Sequence, residues 1–169
     1  MTEEHGGSRT RVRHRAPEGA ITEPLNEVIE PETFTPRLLA LLSNALVWRE
    51  SHELRRRFDL GTNEWRVLSA LSTRPGISAT EVSDFLGVNK AVVSKSVNTL
   101  LERRLIVLSD GPRGSRPLYL TDAGAQMHRD MLPISLRGQD IILEGLSQAD
   151  VARLNAFLRA GLAKLREAD

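Results

Sequence analysis

The residues best suited to chemistry in this sequence lie on one side of a short predicted helix near the middle of the chain. Two cations and two short hydrogen-bonding side chains recur there at helical spacing: Lys90, Ser94, Lys95 and Asn98. Ammonium groups suit phosphate oxygens, and short polar side chains suit base edges in the major groove. The spacing therefore predicts a helix, roughly over residues 90–103, that contacts DNA. Any solvated helix carries a few such residues, so an ordinary exposed face stays open on this pattern alone.

A tight turn and a second short helix precede this element. Ser78 and Glu81 have the spacing of a capping box, which predicts a helix beginning at Ala79. Gly87 suits the left-handed residue that ends this helix, and Asn89 can cap the next one. The residues expected to be buried are Val82, Phe85 and Leu86 on the first helix and Val93, Val97, Leu100 and Leu101 on the second. Two helices with so short a link predict a helix-turn-helix.

After Arg103 the pattern becomes typical of β-strands. Residues 105–108 and 118–120 are two β-prone runs, and the segment between them, SDGPRGSRP, is dense in turn formers. We expect a hairpin, or wing, whose tip exposes Arg113 and Arg116. Guanidinium groups favour the negative potential of the minor groove, so the wing is a second candidate DNA contact. The alternative is an ordinary solvated hairpin.

The composition argues against several other kinds of chemistry. The 169 residues include no cysteine, which excludes disulfides, thiolate zinc sites and cysteine-based redox sensing. With four histidines, no Ser/His/Asp arrangement and no glycine-rich phosphate loop, we do not expect an enzyme. A metal site would have to combine His52 and His128 with carboxylates at no recognisable spacing, so we expect neither metal nor cofactor. No apolar run approaches a membrane span, and the first residues lack a signal-type core, so we expect a cytoplasmic protein with no membrane partner.

Charge is unevenly distributed along the chain, although the net charge is only +1. Between Leu86 and Leu120 six basic residues outnumber two acidic ones, a net charge of +4 on the predicted helix-turn-helix and wing. Between Ile21 and Thr35 there are four glutamates and no basic residue. A concentrated basic surface is what nucleic-acid binding requires.

The N-terminal tail has a charge pattern of its own, with alternating arginines at Arg9, Arg11, Arg13 and Arg15. Such an arm would add salt-sensitive phosphate contacts. A solubilising tail without a role is the equal alternative.

The predicted fold class is mostly α-helical with a small β-hairpin wing, a winged helix-turn-helix joined to a helical dimerisation region. We assign a disordered extension to residues 1–34, the dimerisation region to 35–58 and 122–167, and the DNA-binding region to 59–121. Thr35 and Pro36 begin the first helix, which runs to about Phe58. Leu60-Gly61-Thr62 ends that helix and caps a second, Asn63 to Ser72.

After the wing, Thr121 caps a helix that Pro133 should kink or break. Gly145 ends that helix, and Ser147 with Asp150 begins the last one.

Apolar stripes on these outer helices exceed what one small domain has to bury. We therefore expect them to interleave with a second copy of the chain. A two-fold dimer presents two recognition helices to half-sites one helical turn apart, which predicts a pseudo-palindromic operator in double-stranded DNA.

The sequence resembles the MarR family of bacterial transcriptional regulators over about Thr35 to Lys164. The resemblance rests on FDLGTNEWRVLSAL, on ISATEVSDFLGVNKAVVSKSVNTLLERRLIV and on the wing exit LYLTDAG, with Leu120, Thr121 and Gly124 at the positions of an L-T-x-x-G pattern. It implies a homodimeric winged helix-turn-helix and repression relieved by a small phenolic or aromatic carboxylate ligand. Two features depart from the family: the short wing has Pro112-Arg113-Gly114 where Asp-x-Arg is usual, and Arg104 stands where glycine is common.

Two sets of site residues follow from these considerations. The predicted DNA contacts are Ser78, Thr80, Asn89, Lys90, Ala91, Ser94, Lys95, Asn98, Arg113 and Arg116. The predicted ligand contacts are Ser43, Asn44, Trp48, Arg49, His52 and Trp65, because tryptophan supplies a flat apolar wall and arginine or histidine a partner for a carboxylate. Tryptophans at helix junctions are commonly core residues, so a purely structural role stays open. Two further alternatives are a constitutive DNA binder without a ligand and a winged-helix protein-interaction module.

Overall fold

The structure is a computed structural model that describes residues 16–111 and 115–168. Its elements in chain order are α1 Thr35–Phe58, α2 Thr62–Thr73, α3 Ala79–Leu86, α4 Lys90–Glu102, β1 Ile106–Leu108, β2 Leu118–Leu120, α5 Asp122–Leu143 and α6 Gln148–Ala168. The predicted fold class is confirmed. Arg113 and the four arginines of the N-terminal arm lie outside the described residues, so their roles stay predictions.

The chain divides into two compact units, one up to Leu39 and one from Ala40 onward. In the first unit, residues 16–34 form turns and bends without a helix or strand. Arg37 closes one of these turns, because its Nη1 donates to the carbonyl oxygen of Pro31 at 2.9 Å and lies 3.8 Å from a carboxylate oxygen of Glu32. The assignment of separate dimerisation and DNA-binding regions stays a prediction.

The core of the second unit is built around α2, which packs against α3, α4, α5 and β2. Its buried apolar residues are Leu54, Leu60, Trp65, Val67, Leu68, Ala70, Leu71, Val82, Val93, Val97, Leu100, Leu105, Ile106, Leu118, Met131 and Ile134. Removing one such leucine or isoleucine side chain from water contributes about 1.5–3 kcal/mol. This burial fixes α4 with one side inward and the other free.

The junction between α1 and α2 differs from the prediction in its cap. Gly61, not Thr62, is the N-cap residue of α2, and its N–H donates to Glu64 Oε2 at 2.9 Å. Thr62 is instead the first residue of the helix, and among the described residues its buried hydroxyl has no hydrogen-bond partner. The glutamate three residues into the helix replaces the hydroxyl that the sequence favoured as the cap.

The helix-turn-helix forms as its capping residues predict. The Ser78 hydroxyl oxygen accepts from Glu81 N–H at 3.3 Å, and the Glu81 carboxylate accepts from Ser78 N–H at 2.8 Å. Hydrogen bonds from Ser78, the backbone N–H foremost, hold the pKa of Glu81 below its ordinary value. Gly87 ends α3 in the left-handed conformation with φ +63°, and Asn89 Oδ1 accepts from Ala91 N–H at 2.8 Å.

Phe85 does not belong to the buried face, contrary to the sequence-based expectation. It is 40% exposed, whereas Val82 is fully buried. Helix α3 has only about two turns, and a residue three positions after Val82 lies at the edge of so narrow a buried face. The guanidinium of Arg74 covers the ring instead, 4.4 Å from its centroid, as a cation–π contact.

The wing is an antiparallel hairpin with Ile106 opposite Leu120 and Leu108 opposite Leu118. Ile106 and Leu118 are buried, so one face of the hairpin closes the core. Leu118 also pairs with the segment before α3, since Gly76 N–H donates to its carbonyl oxygen at 2.9 Å and its N–H donates to Ile77 O at 3.1 Å. The base of the wing is thereby attached to the helix-turn-helix.

Helix α5 leaves the hairpin through a tight contact with Leu105, the residue before β1. The Thr121 hydroxyl caps the helix by accepting from Gly124 N–H at 3.0 Å, and it donates towards Arg104 O at 2.9 Å and Leu105 O at 3.1 Å. A Cβ added at Gly124 would lie 1.8 Å from the same Leu105 oxygen. This close approach explains why glycine follows the threonine by three positions.

Pro133 does not break α5, which corrects one of the two predicted effects; a kink at this residue stays a prediction. The helix continues from Asp122 to Leu143 with the proline inside it. Met131 and Ile134, on either side of the proline, are buried. Their burial offsets the one backbone hydrogen bond that proline cannot donate.

Helix α6 has no buried residue in this chain, although it is 21 residues long. Its apolar side is open: Leu154, Phe157, Leu158, Leu162 and Leu165 are 40–84% exposed. The last part of α5 is similar, with Leu136 and Ile141 about half exposed. Among the described residues, none of the helices is both long and apolar enough to cross a bilayer.

Replacing Gly124 by alanine should strongly destabilise the protein. The added Cβ meets a backbone carbonyl that cannot move aside, so we expect a loss of about 3 kcal/mol in the free energy of unfolding, measured by urea denaturation. Gly138→Ala is the matched control on the same helix. Its Cβ would make an ordinary 3.5 Å contact with Leu46, and alanine favours a helix by roughly 0.5–1 kcal/mol. Equal stability of the two variants would contradict the clash.

Candidate nucleic-acid interface and ligand cleft

The polar side of α4 is fully available to a partner. All the residues of this helix that were predicted to contact DNA are exposed: Lys90, Ala91, Ser94, Lys95 and Asn98. Within the described ranges, neither lysine has a carboxylate within the 4.0 Å that defines an ion pair. The structure therefore brings together two uncompensated cations and three small or polar side chains on one helical surface.

Two of the other predicted contacts are engaged in capping. The hydroxyl of Ser78 and the carboxamide oxygen of Asn89 accept backbone N–H bonds at the starts of α3 and α4. The Ser78 Oγ also donates to Glu81 Oε2 at 2.7 Å, which leaves it little capacity for a base or phosphate. Thr80, at the second position of α3, is exposed and has no such role.

On the wing, the structure describes Arg116 but not Arg113. Arg116 is exposed two residues before β2. Gly111 N–H donates to Ser115 O at 2.9 Å, so the two arms of the hairpin remain paired beyond the strands. The contact of Arg74 with Phe85 was not predicted from the sequence. The exposed guanidinium of Arg74 lies over the Phe85 ring on α3, and no motif marks this pair, because only the fold brings the two residues together.

A separate cleft of about 340 Å³ opens between α1, α2, α5 and α6. Its polar lining consists of Arg49, Glu50, Arg66, Ser135, Gln139 and Asn155. The Ser135 hydroxyl donates to the carboxylate of Glu50, which joins α5 to α1 inside the cleft. Apolar walls with two guanidinium groups suit a small anionic ligand that is partly apolar.

The six predicted ligand residues do not form one site within the chain. Arg49 and Trp65 line the cleft. Trp48, His52 and Asn44 border a second, more open depression on α1, with the Trp48 and His52 rings stacked at 5.8 Å. Trp48, His52 and Arg49 together border a third depression beside Arg137 of α5. Arg49 therefore borders both the cleft and this third depression, whereas Trp65 borders the cleft alone. Ser43 is exposed and lines none of the three.

Four polar residues that line the cleft were not predicted from the sequence: Glu50, Arg66, Ser135 and Gln139. Ser135 and Glu50 are 85 positions apart, so no local spacing could have paired them. In the described part of the chain, no group of three or more histidine or carboxylate side chains is arranged to hold a metal ion.

His128 on α5 lies beside the cleft wall, where its ring stacks on that of Trp65 with centroids 5.0 Å apart. Its Nε2 is 3.2 Å from the Ser72 hydroxyl oxygen, which already donates to Ser69 O at 2.8 Å. The Ser72 oxygen must accept, so Nε2 carries the proton of the imidazole. Partial burial, and secondarily the nearby charge of Arg129, hold the pKa of His128 below its ordinary value.

Comparison with known proteins agrees with this geometry. Residues 58–117 match a family model described as the MarR family. A sequence search of curated proteins finds no significant match. Among solved structures, the chain is similar to a MarR/EmrR family transcriptional regulator from Acinetobacter sp. ADP1, with 25% identity and a TM-score of 0.76 over 82% of this chain and 99% of that one.

Two further structures share the fold at lower identity. The PcaV transcriptional regulator from Streptomyces coelicolor, solved in complex with its natural ligand, is 22% identical with a TM-score of 0.67, over 81% of this chain and 97% of that one. MepR from S. aureus, solved as a DNA complex, is 18% identical with a TM-score of 0.71, over 79% and 98%.

The depressed pKa of His128 predicts a loss of stability in mild acid. The unfolded chain binds the proton more readily than the folded one, so this stability is present above the ordinary histidine pKa of 6.5 and is lost as the pH falls through and below it. His128→Phe keeps a ring against Trp65 but cannot titrate. Urea denaturation at several pH values should give a flatter profile for this variant, and an unchanged slope would contradict the assignment.

Proposed function

We propose that this protein is a homodimeric repressor released from its operator by a small aromatic ligand, since residues 58–117 match the MarR family model and the chain has the fold of MarR-family transcriptional regulators. The structures that it resembles are those of transcriptional regulators, and we propose a regulatory role without enzymatic activity for this chain. We place it in the cytoplasm with its DNA.

The observation that carries DNA binding is the cationic side of α4. Lys90 and Lys95 are exposed beside Ser94 and Asn98, while the opposite side of the helix is buried in the core. Ammonium groups neutralise phosphates, and the short polar side chains reach base edges when such a helix lies in the major groove. MepR, which has the same fold, was solved as a DNA complex.

Dimerisation is supported by the apolar surface that the chain leaves exposed. Helix α6 has no buried residue, and Phe157, Leu162 and Leu165 are 57–84% exposed. An apolar stripe of this length is typical of a protein–protein interface. A two-fold pairing through α6 and the exposed residues of α5 would cover it and would present two α4 helices to the half-sites of a pseudo-palindromic operator.

Ligand release is supported by the cleft between α1, α2, α5 and α6. The guanidinium of Arg49 suits a carboxylate, and the edge of Trp65 with neighbouring leucines suits an aromatic ring. A ligand can release DNA only if it binds more tightly to the dimer whose two α4 helices are spaced wrongly for successive major grooves. PcaV, of similar fold, was solved with its natural ligand.

A winged-helix protein-interaction module is the second candidate. It would retain the helix-turn-helix without a need for exposed cations on α4. The uncompensated Lys90 and Lys95 therefore favour the DNA-binding regulator.

DNA binding is tested by fluorescence anisotropy with the duplex upstream of the protein's own gene. We expect salt-sensitive binding by two chains per duplex. Lys95→Ala should weaken DNA binding about 10-fold. It should also make the negative slope of log K against log salt less steep by about 0.9 for each phosphate that the variant no longer neutralises. Lys164→Ala, which removes an exposed charge from α6, is the matched control and should bind normally. Salt-insensitive or absent binding by the wild type would favour the interaction module.

The ligand proposal is tested by titrating benzoate and 4-hydroxybenzoate into the protein–DNA complex. Arg49→Ala should bind the operator normally but require about 10- to 100-fold more ligand for release, because a hydrogen-bonded charge pair contributes about 1.5–3 kcal/mol. Arg57→Ala, on the same helix but outside the cleft lining, should respond as the wild type does. If neither acid changes thermal stability or operator release, the protein is a constitutive DNA binder.

A further inference from the structure

The recognition helix α4 is held to the α1–α2 corner by two hydrogen-bonded attachments in addition to its apolar packing. The corner comprises residues 58–64, from the last residue of α1 into the first turn of α2. One attachment comes from the residue that ends α4, Arg103, and the other from its buried middle, Ser96.

Arg103 holds the end of α1 through two adjacent carbonyl groups. Its Nη1 donates to Asp59 O at 2.9 Å, and its Nη2 donates to Phe58 O at 3.1 Å. The carbonyls at a helix C-terminus have no partner within the helix and carry its negative dipole end, so a forked cation satisfies both needs. The Asp59 carboxylate adds a weak ion pair at 4.0 Å.

The backbone on both sides of this bridge is in an unfavourable conformation. Asp59 at the end of α1 and Arg104 at the end of α4 have φ of +54° and +57°, and in the described part of the chain they are the two non-glycine residues with positive φ. Arg104 N–H donates to Leu101 O, and Leu105 N–H donates to Leu100 O, both at 2.9 Å, which is a Schellman motif with arginine in the usual glycine position. Such strain persists only where the surroundings impose it.

The second attachment runs through Glu64. Its Oε1 accepts from the hydroxyl of Ser96, which is 2% exposed, at 2.7 Å. Its Oε2 accepts from Gly61 N–H at 2.9 Å and so caps α2. One carboxylate thereby fixes the start of α2 relative to the middle of α4.

We propose that Arg103 is a positioning residue for DNA binding, which acts with the Ser96–Glu64 pair to set the angle of α4 relative to α1 without contacting DNA. This rests on the DNA-binding function proposed above and assigns a different role to one of its basic residues. Because α1 also borders the ligand cleft, the two attachments are the route by which a shift of α1 changes the presentation of Lys90 and Lys95.

The test compares operator binding by variants that separate charge from hydrogen-bond geometry. Arg103→Lys keeps the cation but loses the two-pronged donor, and we expect about 10-fold weaker operator binding with an unchanged salt slope. Ser96→Ala cannot affect a DNA contact directly, since the residue is buried, and should weaken binding in the same way. Asp59→Gly retains both acceptor carbonyls and Arg104→Lys retains the neighbouring charge, so both should bind like the wild type.

Hydrogen exchange of the DNA-free protein provides the readout that does not depend on the operator. In Arg103→Lys, the amides of residues 58–62 and 103–105 should exchange about 10-fold faster, while those of α5 remain unchanged. Wild-type affinity of Arg103→Lys, combined with a lower salt slope for Arg103→Ala, would overturn the proposal and make Arg103 a phosphate contact. Unchanged exchange at the corner would also overturn it. A wild-type protein that binds no DNA would reject the proposed function, and the exchange data would still decide whether the attachment exists.

Discussion

Helix α4 can present its cationic side to a partner only because its other side is removed from water. Val93, Val97 and Leu100 are buried against a core centred on α2, and each such side chain contributes about 1.5–3 kcal/mol. A rotation of α4 that hid Lys95 would expose this apolar set. The capping bonds at Ser78 and Asn89 fix where the two helices begin, but the burial decides which residues face outward.

The same burial makes the ends of the helices important. Three features lie where a helix starts or stops: the close approach of Gly124 to Leu105 O, the left-handed residues Asp59 and Arg104, and the Arg103 bridge. Backbone groups at these points lack partners within their own helix and must find them elsewhere. At the end of α1 the partner is Arg103 from the end of α4, so these two helix ends are joined to each other. That arrangement couples the orientation of α4 to that of α1.

Much of the fold was predictable because its signals are local. Helix starts at Thr35 and Thr121 and the turn at Gly87 follow from residue types a few positions apart, and the structure agrees. Each sequence prediction that the structure corrects was wrong for a physical reason. Phe85 sits at the edge of a short buried face, and Pro133 is tolerated because burial on both sides offsets one lost hydrogen bond. At the α2 cap, Glu64 supplied the hydrogen bond in place of Thr62.

The sequence by itself determined the helix-turn-helix, the hairpin and the cationic side of α4, since periodicity and capping act over a few residues. Only the tertiary structure decided which polar residues share the cleft. It joined Glu50 to Ser135 across 85 positions and placed Trp65 at the cleft but Trp48 outside it. The difference has one physical reason: a helix directs adjacent side chains about 100° apart, and the sides that meet are chosen by packing between distant segments.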